Sequence, residues 1–141
     1  MQNNYNDSEI EDNLLNNSLL FSSIRKNKTS DKKIEKIKKY LDRGADINAT
    51  DANNKNNTPL HVAVMKGEPE VVRFLLEQGA VPSNKNNDNQ TALDIARLSD
   101  KSDDKIEIIV NVLEEFKNSK LQRSSQQKLD TNLTSKGDLK S

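Results

Sequence analysis

Apolar residues recur along this chain at three- and four-residue steps. Leu14, Leu15, Leu19, Leu20, Phe21 and Ile24 form one set, and Ile34, Ile37, Tyr40 and Leu41 a second. Val71, Val72, Leu75 and Leu76 form a third, and Ile106, Ile108, Ile109, Val112, Leu113 and Phe116 a fourth. At these spacings the apolar side chains share one face of a helix. No stretch alternates cleanly at period two, so the pattern predicts an all-α fold without a substantial sheet. The punctuation agrees. Thr58 before Pro59 reads as an N-cap followed by proline at the first helical position. Pro69, between Glu68 and Glu70, reads as a second helix start with acids near its positive end. Gly44, Gly67 and Gly79 follow helical stripes, where a left-handed C-cap favours glycine, and Ser102 or Asp103 would cap the last helix. Helices of about two to three turns do not persist alone in water, so these must stack on one another.

The chain ends differ from this middle. Residues 1–12 carry Asp7, Glu9, Glu11 and Asp12 and are predicted to be disordered. Residues 118–141 are basic, rich in Ser, Gln and Lys and without an apolar period, which predicts a flexible tail. The folded domain is then 13–117. Hydrophobic residues make up 32% of the chain, below the usual share of about 45–50%, so the folded part is small and its apolar residues must be well placed. Lys+Arg and Asp+Glu number 22 each, so no overall field recruits nucleic acid. The lack of cysteine excludes disulfides, thiolate metal sites and cysteine nucleophiles. The amino-terminal residues have neither the basic nor the apolar region of a secretory signal, and no apolar run approaches the ~18 residues that span a bilayer. A cytoplasmic protein with no membrane contact is expected, with signal-independent export into a host cell as the alternative location. The abundance of Asn and Lys reads as the codon bias of an A/T-rich genome rather than a functional demand.

The chain also repeats itself. TPLHVAVMKG from Thr58 is matched by TALDIARLSD from Thr91, 33 residues later, and DRGADIN from Asp42 by EQGAVPS from Glu77. Periods of this size signal stacked repeats. Thr58-Pro59-Leu60-His61, Ala63, Gly67, Glu70-Val71-Val72, Leu75-Leu76 and Gly79-Ala80, preceded by Gly44-Ala45-Asp46-Ile47-Asn48-Ala49-Thr50-Asp51, resemble the ankyrin repeat. The resemblance covers about Leu14 to Phe116. It implies an ankyrin-repeat solenoid of helix-turn-helix units with extended loops, in three units of about 13–50, 51–83 and 84–117. The first opens on a degenerate helix, Ser18 to Lys26. Residues 28–32 read as an insertion, the loop Asp51 to Asn57 is longer than the pattern, and Asp94 stands where the third unit would carry histidine.

His61 is the one histidine. As a general base or metal ligand it would need partners, and with no second histidine and no cysteine a zinc site would rest on carboxylates almost alone. The resemblance implies instead a structural staple: one ring nitrogen bonds the threonine of its own unit, and the other a carbonyl in the adjacent linker. Thr58, Pro59, His61, Gly67, Gly79 and Gly44 are therefore assigned structural roles. No catalytic residue, metal site or cofactor is expected. Glu114-Glu115 and Asp103-Asp104 are adjacent pairs whose side chains point apart on a helix, and no phosphate-binding glycine loop, calcium loop or HExxH occurs.

By the same resemblance, partner contacts would come from loop tips and from residues late in each first helix. These are Arg25 and Lys26 in unit one; Asn53, Asn54, Lys55, Met65 and Lys66 in unit two; and Asn87, Asp88, Gln90, Leu98 and Ser99 in unit three. A surface of that size suits an interface of ~600–800 Å² per partner. The reading favoured is a monomeric, non-catalytic protein-interaction module, in the role of an effector or a regulatory adaptor, with an unidentified protein as partner. The alternative is an accessory protein that binds nucleic acid or anionic surfaces through the Lys-rich helix 31–42 and the basic tail. Nucleic acid ranks below protein because no aromatic residues interleave with the lysines. The lysines otherwise read as a solvated outer face.

Overall fold

Neither glycine nor proline stands within residues 1–25, so no such breaker interrupts a helix there. In the computed structural model, which describes residues 2–118 and the side chains of 11–118, helix α1 runs Gln2–Arg25. Residues 2–12, whose composition suggested disorder, lie in this helix. Extending a helix from a packed turn is far easier than nucleating one, and no breaker intervenes. The same reasoning corrects the expected start at Ser18 and the expected two to three turns. The tail assigned to 118–141 lies, from residue 119, outside the described residues.

The remaining helices follow the punctuation. Helix α2 (Ser30–Asp42) starts at Thr29, whose side chain accepts from the Lys32 N–H. Helix α3 (Pro59–Lys66) begins after Thr58 and ends at Gly67, whose φ of 69° lets its N–H turn back onto the Ala63 and Val64 carbonyls. Helix α4 (Pro69–Glu77) and helix α5 (Ala92–Leu98) follow. The last, α6 (residues 104–118), starts at Asp103, whose Oδ1 accepts from the Lys105 N–H at 2.9 Å. Among the described residues there is no strand, only an isolated antiparallel bridge between Asp51 and Asn57.

Helix α1 packs on α2 and α3, α3 on α4 and α5, and α2 on α4. The result is an inner row, α1–α3–α5, backed by an outer row that α6 extends beside α4, where Arg73 lies 4.0 Å from Glu115. The core sits between the rows. Leu20, Ile24, Leu60 and Val64 from the inner row meet Ile37, Val71, Val72, Leu75, Ile109 and Leu113 from the outer row, and all are essentially inaccessible. Each such side chain stabilises by roughly 1.5–3 kcal/mol relative to exposure, and no single hairpin buries its own stripe. Not every apolar residue of the pattern takes part. Leu14 and Leu15 are more than half exposed and Ile108 nearly so, so the core-facing stripe of α1 begins at Leu19.

Candidate functional site

His61 is the third residue of α3, where the chain direction set by Pro59 brings its ring back over the helix start. Thr58 Oγ1 accepts from the His61 N–H at 3.3 Å, and the Thr58 N–H donates to His61 Nδ1 at 3.0 Å. Nδ1 also lies 2.7 Å from Thr58 Oγ1. Nε2 is 2.9 Å from the Gln90 carbonyl in the linker of the next unit. A carbonyl can only accept and a backbone N–H can only donate, so the ring is neutral, with its proton on Nε2. Burial holds its pKa below the ordinary 6.5, against the smaller opposing effect of the backbone hydrogen bonds to Gln90 and Asn84. Both ring nitrogens are therefore committed. Thr58 and His61 are 3% and 1% exposed, which leaves no approach for a substrate to the hydroxyl. Among the described residues, no group of three or more His, Asp and Glu could hold a metal ion.

In the third unit Asp94 makes the same local cap. Its Oδ2 accepts from the Thr91 N–H at 3.0 Å, and its own N–H donates to Thr91 Oγ1 at 3.1 Å. The Thr91 backbone bond is the main cause of a carboxyl pKa below the ordinary value. A carboxylate has no donor to send onward, so the inter-unit half of the histidine's arrangement is lost.

The loops form two hairpins, closed by Asp51 N–H to the Asn57 carbonyl and by Asn86 N–H to the Gln90 carbonyl, each at 3.0 Å. Asparagines join them. Asn86 Nδ2 donates to Asn57 Oδ1 at 2.8 Å, and Asn56 Nδ2 to Asn87 Oδ1 at 2.9 Å. The Asn87 N–H reaches the Lys55 carbonyl at 2.8 Å. Asn48 bridges the units lower down: its Nδ2 donates to the Gly79 carbonyl at 3.3 Å, and its Oδ1 accepts from the Val81 N–H at 2.9 Å. Asn16 and Asn17 tie α1 to the Arg43 carbonyl and the Asp46 N–H. These asparagines hold neighbouring units together. An amide side chain carries both a donor and an acceptor, so it can satisfy a neighbouring unit's backbone at either end.

The expected contact residues fall on the ends of the inner helices and on the hairpins. Arg25, Lys66 and Leu98 are the last residues of α1, α3 and α5. Several engage one another or their surroundings. Arg25 pairs with Asp51, Lys55 with Asp88 at 2.9 Å, and Lys66 Nζ lies 3.4 Å from Asn27 Oδ1. Gln90 is half-buried, with its carbonyl taken by His61 and its Oε1 near Asn86. Ser99 Oγ donates to the Ile95 carbonyl. Lys26, Asn53, Asn87 and Asp88 are exposed, and Asn54 is half-buried. Met65 and Leu98 are 47% and 75% exposed. The two form the apolar part of this surface.

The Lys-rich helix holds one exception to a solvated face. Lys33 is 2% exposed. Its Nζ donates to the Ile24 carbonyl at 2.8 Å, and it pairs with Glu68 at the start of α4. Glu68 makes no side-chain cap bond to its own helix, so the acid read as a helix-end charge instead joins units one and two. The lysine pattern alone gave no sign of this. Lys33 shares the inward face of α2 with Ile37 and Tyr40, and that spacing was the available signal.

A family model described as ankyrin repeats, three copies, matches residues 11–120. The E3 ubiquitin-protein ligase hecd-1 of Caenorhabditis elegans is 38% identical over 81 residues, which is 57% of this chain and 3% of that protein. Protein fem-1 homolog C of Xenopus laevis is 42% identical over 55 residues, 39% of this chain and 9% of that protein. The chain thus spans only a small part of these relatives.

Proposed function

The chain belongs to the ankyrin-repeat family, and from that premise we propose that it is a non-catalytic module binding a protein partner through its hairpin tips and the exposed ends of its inner helices. The observation that carries this is Met65, an apolar side chain half out in solvent at the end of α3, next to Lys66. Met adapts to irregular surfaces, and a partly exposed apolar side chain ringed by polar groups is the usual anchor of a modest interface. Leu98 repeats the arrangement in the next unit. Because the matched segments are small parts of long relatives, the likeness supports a shared recognition module and not a ligase activity. A regulatory adaptor, working as a monomer in the cytoplasm, is the role that fits. No helix among the described residues is long and apolar enough to cross a membrane.

The test is affinity capture with cross-linking, using the full chain as bait, followed by repetition with Met65→Glu plus Lys66→Glu. Loss of the captured partner supports the surface. Undiminished capture by the double variant places the contact elsewhere.

A further inference from the structure

Exposed lysines that form no ion pair among the described residues, among them Lys26, Lys28, Lys32, Lys36, Lys66 and Lys105, gather on one side of the molecule. They line two adjoining clefts of about 640 and 510 Å³ that share Lys28, Lys32 and Lys33. The first cleft lies where the turn after α1, the start of α2 and the end of α3 meet the start of α6. The second lies between the end of α1 and the outer side of α2. Each holds one carboxylate: Glu68, already committed to Lys33, and Glu35. In a chain whose charges balance at 22 each, this is a local excess of cations. Their mutual repulsion is relieved by an anion.

We propose that these clefts receive an acidic segment of the partner protein, an extended stretch of Asp and Glu side chains. This rests on the reading of the chain as a protein-binding module and states the chemistry of what it binds. Lys32 and Lys36 are one turn apart, about 6 Å along α2. Alternate side chains of an extended peptide recur at about 6.5–7 Å, so successive carboxylates on one face meet successive lysines. Lys26 and Lys66 belong both to the clefts and to the expected contact set, so a segment lying here leads directly to Met65. Single-stranded nucleic acid asks for aromatic faces to stack on. The one aromatic ring of the clefts, Tyr40, is 9% exposed and has Lys39 Nζ 5.8 Å from its centroid. An anionic bilayer takes apolar insertions, whereas these clefts present no exposed large apolar side chain.

The experiment is fluorescence anisotropy on the full chain with a labelled peptide of alternating Glu and Ser, about twelve residues long. Its Gln counterpart and an oligothymidylate of equal charge serve as competing probes. The acidic peptide binds, the Gln peptide does not, and affinity falls as salt rises. Lys32→Glu plus Lys36→Glu weakens binding at least about tenfold, while the charge-matched control Lys85→Glu plus Lys117→Glu changes it by less than about twofold. If circular dichroism shows the reversed pair misfolded, Lys32→Gln plus Lys36→Gln gives the same readout. Absence of peptide binding, equal losses in both variants, or tighter binding of the oligothymidylate overturns the proposal. Partner capture that depends on Met65 but ignores Lys32 and Lys36 sinks the acidic segment and leaves the module standing. If the full chain captures no protein partner at all, the module itself is removed.

Discussion

Asn57 and Asn86 meet amide to amide, Nδ2 of the second 2.8 Å from Oδ1 of the first, with both residues at least nine-tenths buried. One stands directly before the Thr58 cap and the other closes the next hairpin, so this bond acts with those of His61, Asn56 and Asn87 to set the register of unit two on unit three. Asn86→Ala leaves Asn57 Oδ1 buried without its donor. The expected cost is about 1–3 kcal/mol. In a double-mutant cycle with Asn57→Ala, measured by urea unfolding, the two losses should fall short of additive, because the second change removes an atom already orphaned. Strict additivity would mean the two amides do not interact.

Within α2, burial separates two neighbouring lysines. Lys33→Met strips the Ile24 carbonyl and Glu68 of their shared partner and should cost about 1–3 kcal/mol. Lys32→Met, on the exposed side, should stay within about 0.5 kcal/mol. Combining Lys33→Met with Glu68→Gln should recover part of the loss, since an unpaired carboxylate costs more than an amide in its place. Urea midpoints of the three variants check this order.

Gly67 and Gly44 both have positive φ, 69° and 105°. An added Cβ at Gly67 meets nothing, whereas at Gly44 it meets the Asn13 side chain on α1. Gly67→Ala should cost only the left-handed conformation, about 1–2 kcal/mol, and Gly44→Ala should cost more. Thermal melts of the two variants, compared with Asn13→Ala plus Gly44→Ala, separate the backbone part from the clash.

Much of this was readable before any coordinates. The helices from Thr29 onward, the Thr58-Pro59 start and the glycine stops follow from local chemistry that acts within a few residues. Lys33 was not readable in the same way, because charge predicts exposure unless a partner is known, and its partners lie 9 and 35 residues away in sequence. The asparagine contacts failed for a related reason. An abundant residue type hides the few copies that matter, and Asn57–Asn86 spans 29 positions. The length of α1 was missed because polar composition was weighed above the absence of any breaker. Of the expected contact surface, positions late in the inner helices carried over from the repeat pattern. That Arg25 and Gln90 are already engaged depends on tertiary pairings the pattern does not contain.

The buried imidazole makes stability depend on pH in one direction. Its folded pKa lies below the ordinary 6.5, so between the two values the unfolded chain binds more protons than the folded one. Stability is complete above about pH 6.5 and declines as pH falls towards the folded pKa. In His61→Gln this decline should be absent while the whole curve sits lower. The Asp94 carboxyl acts below its ordinary 3.8 and does not overlap this window. Urea midpoints between pH 7.5 and 5 in both proteins show the difference.

The chain has one histidine, so a nitrogen-15 NMR titration of the imidazole reports on one ring alone and asks directly whether its bonds belong to the architecture. The expected spectrum has Nδ1 unprotonated and Nε2 protonated at neutral pH, with Nε2–H slowly exchanging against the Gln90 carbonyl and titration delayed to below pH 6.5. A ring that titrates at or above 6.5, interconverts freely between tautomers and exchanges its proton at the solvent rate would contradict the claim that His61 holds the repeats together.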